Sequence, residues 1–249
     1  MRLKKSLGQH ILISRGVCQA IAEFLNPEEE DVLIEIGPGT GSLTIEVLKF
    51  NFKRLHLVEI DQKMLEKLLF IEDKRVYFHH ADATSFDFCS LNSEVRVFGN
   101  LPYCAWSGII VNFILHKNCI KDGLFLLQKE VAQNLQKESS LMSVFVRSFF
   151  KVEYLMTVPG RFFRPVPRVQ SGLIRLQKHK DTELDLKSYL RFLKEVFKKP
   201  KAQLCKKLDA ELLESLGIEP TKRVHELKPE DFLRLFLEGG QRGELPPRL

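Results

Sequence analysis

Five short apolar runs, spaced by stretches with helical periodicity, constrain this chain more than any other feature. Val32-Leu33-Ile34-Glu35-Ile36, Leu55-His56-Leu57-Val58-Glu59, Val76-Tyr77-Phe78, Val95-Arg96-Val97-Phe98-Gly99 and Leu124-Phe125-Leu126-Leu127 read as strands. Residues 42–49, the segment through Met64, Leu65 and Leu68, and residues 107–115 read as helices between them. Strands separated by helices enter a parallel sheet with helices on both faces. Residues 152–158 and 172–176 read as two more strands, with Pro159, Pro165 and Pro167 breaking the chain between them. The expected class is α/β, with a mostly parallel sheet of about seven strands whose last pair can be antiparallel.

The pattern then turns helical. Residues 130–136 and 141–150 read as helices, and a polar stretch at 178–185 marks a boundary. Beyond it, Tyr189, Leu190, Leu193, Val196 and Phe197 share a helix face, as do Leu208, Leu212, Leu213 and Leu216. Pro229-Glu230-Asp231 opens a last helix with Phe232, Leu235 and Phe236 inward. The expected division is a catalytic domain over 1–180 and a small all-helical domain over 181–249, fraying from Gly239.

With 44% hydrophobic residues among 249, the chain has ample material for a packed core. No apolar run reaches the length of a membrane span, and the basic start lacks the apolar stretch of a signal peptide. Cys18, Cys89, Cys104, Cys119 and Cys205 are odd in number and scattered, without C-x-x-C. That spacing argues against disulfides or a metal site and for a reducing cytoplasm. Cys104 reads as a small packing residue.

The net charge of +6 is clustered. Basic residues gather at Arg2, Lys4 and Lys5, at Arg161, Arg164, Arg168 and Arg175, and at Lys194, Lys198, Lys199, Lys201, Lys206 and Lys207. Two of these groups flank the segments that carry the chemistry, so a polyanionic partner is expected.

Those segments lie at strand ends, where open α/β sheets bind ligands. Glu35-Ile36-Gly37-Pro38-Gly39-Thr40-Gly41 follows the first strand. Its third glycine comes one place too early for a dinucleotide fingerprint, and no Gly-Lys-Ser/Thr follows for a nucleotide triphosphate loop. Glu59 ends the second strand, where a carboxylate can accept both ribose hydroxyls, and Asp82 follows the third, placed to accept from an adenine amine. Asn100-Leu101-Pro102-Tyr103 ends the fourth and sets hydrogen-bond acceptors beside a flat ring, a match for a planar base with an exocyclic amine.

The glycine loop resembles motif I of S-adenosylmethionine-dependent methyltransferases, and Asn-Leu-Pro-Tyr resembles motif IV of those that methylate amino groups. Residues 4–12, Lys-Lys-Ser-Leu-Gly-Gln-His-Ile-Leu, resemble the K-x-x-L-G-Q-N-F-L opening of the rRNA adenine dimethyltransferases. Residues 163–171 resemble their F-x-P-x-P-x-V-x-S segment. The resemblance covers about residues 4–176 and looks strongest to the bacterial small-subunit branch. It departs at His10-Ile11, where the family usually has Asn-Phe, at Gln170, and in the basic 198–208 segment, which lacks the usual Asn.

The resemblance implies a Rossmann-like methyltransferase fold and S-adenosyl-L-methionine as cofactor. The implied activity is dimethylation of two adjacent adenines near the 3′ end of 16S rRNA, within a small-subunit precursor. It implies catalytic roles for Asn100, Leu101, Tyr103 and Phe163, the two rings stacking on the target base. Cofactor contacts are expected from His10, Leu12, Gly37, Gly39, Glu59, Ile60, Asp82, Ala83 and Asn100. Phosphate contacts are expected from Lys4, Lys5, Arg161, Arg164, Arg168, Lys198, Lys199, Lys201, Lys206 and Lys207. No metal is expected, and a cytoplasmic monomer without membrane contact would suffice. The rivals are a 23S rRNA adenine methyltransferase of the macrolide-resistance type and a non-catalytic assembly factor on the same fold. A DNA adenine methyltransferase, which commonly carries Asp-Pro-Pro-aromatic, is weaker.

Overall fold

The computed structural model describes residues 10–137, 139–179 and 183–242. The elements run β1 (Ile11–Leu12), α1 (Arg15–Leu25), β2 (Val32–Ile36), α2 (Ser42–Val47), β3 (Arg54–Glu59), α3 (Gln62–Glu66), β4 (Val76–His80), β5 (Val95–Asn100) and α4 (Trp106–Leu115). They continue with β6 (Ile120–Gln128), α5 (Lys129–Lys137), α6 (Leu141–Arg147), β7 (Phe150–Val158), β8 (Phe163–Arg164), β9 (Ser171–Lys178), α7 (Leu186–Phe197), α8 (Ala210–Ser215) and α9 (Pro229–Arg242).

Seven strands form one sheet in the order β4-β3-β2-β5-β6-β9-β7. The first five are mutually parallel, and β9 runs antiparallel to β6. All of β2 is buried, as its unbroken apolar run requires of a strand covered on both faces. The order turns at β2, with β3 on one side and β5 on the other. Parallel strands bring their carboxyl ends to one edge, so the residues after β2, β3, β4 and β5 meet beside that reversal point.

Two elements escaped the sequence reading. Helix α1 buries Cys18, Ile21, Ala22 and Leu25, an i, i+3, i+4, i+7 stripe, and Ser14 Oγ accepts from the Val17 N–H at its start. Its last carbonyls are held by arginines: Arg96 donates to Leu25 O and Asn26 O, and Arg175 to Phe24 O. Arg175 is therefore a structural residue rather than a free member of a basic surface. The second missed element is a two-stranded antiparallel ladder, β1 against β8, which sets Ile11 opposite Arg164 and Leu12 opposite Phe163.

The described residues pack as two units, one within 1–132 and 152–178, the other within 133–151 and 179–249. The second unit thus includes a segment that the sequence division left with the first. Its core explains why: Phe145 and Phe149 of that segment, with Phe192 and Phe236, surround the buried Tyr189 ring. The Tyr189 hydroxyl meets Ser148 Oγ at 2.8 Å. Helix α9 continues past Gly239, which is buried, so the expected fraying does not begin there.

The expectation of unpaired cysteines fails at one pair. Cys89 and Cys119 form a disulfide, with Cα atoms 5.4 Å apart. They lie in the turns that precede the neighbouring parallel strands β5 and β6. Thirty residues of sequence separate them, which hides a proximity that the crossover creates.

Candidate active site

The loop after β2 turns three times through the left-handed region, at Gly37, Gly39 and Gly41 (φ +64°, +58° and +80°), a conformation that side chains disfavour. The Gly37 N–H donates to Val58 O and anchors the loop to the neighbouring strand β3. Beneath it, the Glu35 carboxylate is fully buried and accepts from the Thr44 hydroxyl at 2.6 Å. Burial, with the nearby Glu59 charge, pushes the Glu35 carboxyl up to about 8 against the hydrogen bond from Thr44. Glu59, at the end of β3, accepts from the Asp61 N–H at 3.0 Å, and burial raises its pKa as well.

After β4, one oxygen of the exposed Asp82 accepts from both the N–H and the hydroxyl of Thr84, each at 2.8 Å. Asn112 on α4 steadies this turn by donating to Ala83 O and Phe86 O. No motif pointed to Asn112; a buried amide on an otherwise apolar helix was its only signal.

At the end of β5, Asn100 Nδ2 donates to the main-chain carbonyl of His10 at 2.7 Å. A carbonyl only accepts, so the amide must present its NH₂ there, leaving Oδ1 as the acceptor on the other side. The Leu101 N–H is spent on Leu126 O, and Pro102 O accepts from the N–H groups of Ala105 and Trp106 as α4 begins. The half-buried Tyr103 holds its hydroxyl 3.1 Å from Ser171 Oγ on β9, and burial raises its pKa. The His10 ring stands 5.0 Å from the Tyr103 ring.

One cavity takes in all the expected cofactor positions: His10, Leu12, Gly37, Gly39, Glu59, Ile60, Asp82, Ala83 and Asn100. Leu101 and Tyr103 line it too. Phe163 does not. Its ring is fully buried in the core beside Leu12, its partner across the β1–β8 ladder, and offers no face to an incoming base. The expectation that Phe163 stacks on the target is corrected accordingly. Cys104 is also corrected: it is exposed and lines the cavity instead of filling the core.

Arg161, Arg164 and Arg168 are exposed in the first unit, Arg161 with its guanidinium 4.7 Å from the Phe162 ring centre. In the second unit Lys198, Lys199, Lys201 and Lys206 are exposed, Lys198 pairing with Glu195. Lys207 instead turns inward and donates to Val196 O at 2.6 Å, near the carboxyl end of α7. Lys4 and Lys5 lie outside the described residues. Among the described residues, no group of three or more His, Cys, Asp or Glu is arranged to hold a metal ion, and no helix is long and apolar enough to cross a membrane.

Known proteins resemble this chain along most of its length. The family model "Ribosomal RNA adenine dimethylase" matches residues 1–239. The ribosomal RNA small subunit methyltransferase A of Persephonella marina is 39% identical, over 95% of this chain and 94% of its own. The protein of the same name from Coxiella burnetii is 35% identical, over 94% and 97%. Among solved structures, a dimethyladenosine transferase from Plasmodium falciparum superposes with a TM-score of 0.81 at 22% identity, over 95% of this chain and 99% of its own. The 23S rRNA methyltransferase ErmE superposes with a TM-score of 0.70 at 25% identity, over 91% and 98%. A match that extends through nearly the whole chain, carried by sequence as well as by fold, makes it a member of the ribosomal RNA adenine dimethylase family.

Proposed function

We propose that the chain transfers methyl groups from S-adenosyl-L-methionine to the N6 of two adjacent adenines in the 3′-terminal hairpin of 16S rRNA, within a small-subunit precursor, and that it acts as a monomer. The cavity's groups fit that cofactor. Glu59 is a buried carboxylate at a strand end, suited to ribose hydroxyls, and Asp82 has a carboxylate to accept from an adenine amine. Ile60, 48% exposed at the cavity wall, offers an apolar face to a planar ring, and the glycine loop keeps side chains out of the way. When bound, the cofactor supplies an electrophilic methyl group on a sulfonium.

The observation that carries the reading is the amide of Asn100 fixed by His10 O. An adenine N6 is a weak nucleophile because its lone pair is delocalised into the ring. Asn100 Oδ1 and the Leu101 carbonyl would accept its two hydrogens, draw the nitrogen toward a pyramid and localise that lone pair. Holding the base in this geometry supplies much of the rate. The base has to leave its stack to arrive there, and the Tyr103 ring gives it a surface, worth about 1–3 kcal/mol in single-strand binders. No side chain is needed as a strong base, since N6 becomes acidic once alkylated. After one transfer a single N–H remains, so the second requires room for a methyl where the first hydrogen pointed.

The relatives' names favour the small subunit over the resistance-type reading. The test is transfer of labelled methyl groups from S-adenosylmethionine to small and large ribosomal subunits that lack the modifications, with the nucleoside identified after digestion. N6,N6-dimethyladenosine in the small subunit alone supports the proposal. Label in the large subunit moves the chain to the 23S branch. Absence of label in both, with cofactor bound, leaves a binding or assembly role.

A further inference from the structure

His10 makes three contacts that no motif explains. Its main-chain oxygen accepts from Asn100 Nδ2 at 2.7 Å. Its Nδ1 lies 2.7 Å from Pro165 O, so that nitrogen carries the proton and donates. Its ring packs 5.0 Å from the Tyr103 ring at an interplanar angle of 40°. The residues that follow are paired to β8, the strand that leads into Pro165.

We infer that His10 is a positioning residue: its ring ties the Pro-rich segment to Tyr103, and thereby holds its own carbonyl where it sets the Asn100 amide. The inference rests on the methyl-transfer reading of this cavity. It goes beyond the expectation drawn from the resemblance, in which His10 serves only as a cofactor contact. The contacts explain how a His serves where the family usually has Asn. Nδ1 of His and Nδ2 of Asn are both one bond from Cγ, so either residue presents a donor at the same reach. Only His adds a ring against Tyr103.

The two roles separate in kinetics. A group that only binds cofactor raises the KM for S-adenosylmethionine when removed and leaves kcat alone, whereas a group that positions the reacting base lowers kcat. The experiment measures kcat and both KM values on small subunits, with melting temperature, for wild type, His10→Ala, His10→Asn and His10→Phe. His10→Ala is expected to lower kcat about tenfold, the scale of one well-placed hydrogen bond, with the KM for cofactor within about twofold. His10→Asn restores the donor and His10→Phe restores the ring, so each should recover part of kcat.

A raised cofactor KM at unchanged kcat in all three variants would overturn the inference, as would unaltered kinetics. If His10→Ala melts far below wild type, the Asn and Phe variants decide, because both fill the site. Wild-type protein inactive on both subunits would sink the methyl-transfer reading instead, an outcome visible before any variant is compared.

Discussion

Gly99 on β5 passes so close to Ile36 on β2 that a Cβ there would sit 2.3 Å from the Ile36 carbonyl oxygen. The oxygen is a backbone atom and a Cβ is fixed rigidly to the backbone, so neither can swing aside. The glycine has φ +157°, and the next residue is Asn100. The close approach lets β5 lie flat against β2 up to the residue that faces the cavity. Gly99→Ala should therefore cost about 2–4 kcal/mol of stability, the scale of overpacking without escape. It should also displace Asn100 and depress methyl transfer. Denaturant unfolding with a parallel activity assay checks this; a variant of wild-type stability would show that the strands can part cheaply.

Asn100→Ala removes the acceptor of the proposed mechanism without touching the exposed arginines and lysines. Transfer should fall by about 10²-fold or more, comparable with loss of one preorganised group at a reacting centre. RNA affinity, measured by filter binding, should stay near wild type. Full activity in this variant would refute the role given to Asn100.

Glu35 makes a pH prediction. Its carboxyl titrates near 4.5 when free and near 8 in the folded protein. Between those values the folded state holds a proton that the unfolded state has lost, so the contribution of Glu35 to stability falls as pH rises through that window. Glu35→Gln cannot ionise and keeps an oxygen for the Thr44 hydroxyl. Its stability relative to wild type should rise from the acid end of the window to the alkaline end and then level off. Urea midpoints of the cofactor-free proteins across that range test it, and a difference that does not change with pH would count against a protonated Glu35.

The Cys89–Cys119 bond closes a 30-residue loop that contains Asn100, Tyr103 and all of α4. Loop-closure entropy for that length corresponds to up to roughly 3–4 kcal/mol. Reduction, or Cys89→Ser, should lower the melting temperature. Alkylation of the unreduced, denatured chain should label only Cys18, Cys104 and Cys205. Five labelled thiols would show that the bond does not form.

Much of the first unit was readable in advance, because buried parallel strands need continuous apolar runs, and β2, β3, β5 and β6 have them. The acids and glycines at the ends of those strands were readable for the same reason: once the strands are parallel, their carboxyl ends share an edge. Helix α1 is legible in its i, i+3, i+4, i+7 stripe. The β1–β8 ladder had no such trace, since two residues per strand are too few to show a period.

What the sequence determined by itself was the alternation of elements, hence a parallel sheet, and the chemical groups set along one edge of it. Only the tertiary structure decided which groups act together. Asn100 and His10 are ninety positions apart, and the direction of the Asn100 amide depends on a carbonyl that any residue at position 10 would carry. Phe163 was moved from base to core by its pairing opposite Leu12, and Lys207 from phosphate to helix end by the carbonyl of Val196. Periodicity reports which face of an element is buried. It carries no information about which distant backbone group that face will meet, because main-chain carbonyls are the same in every residue.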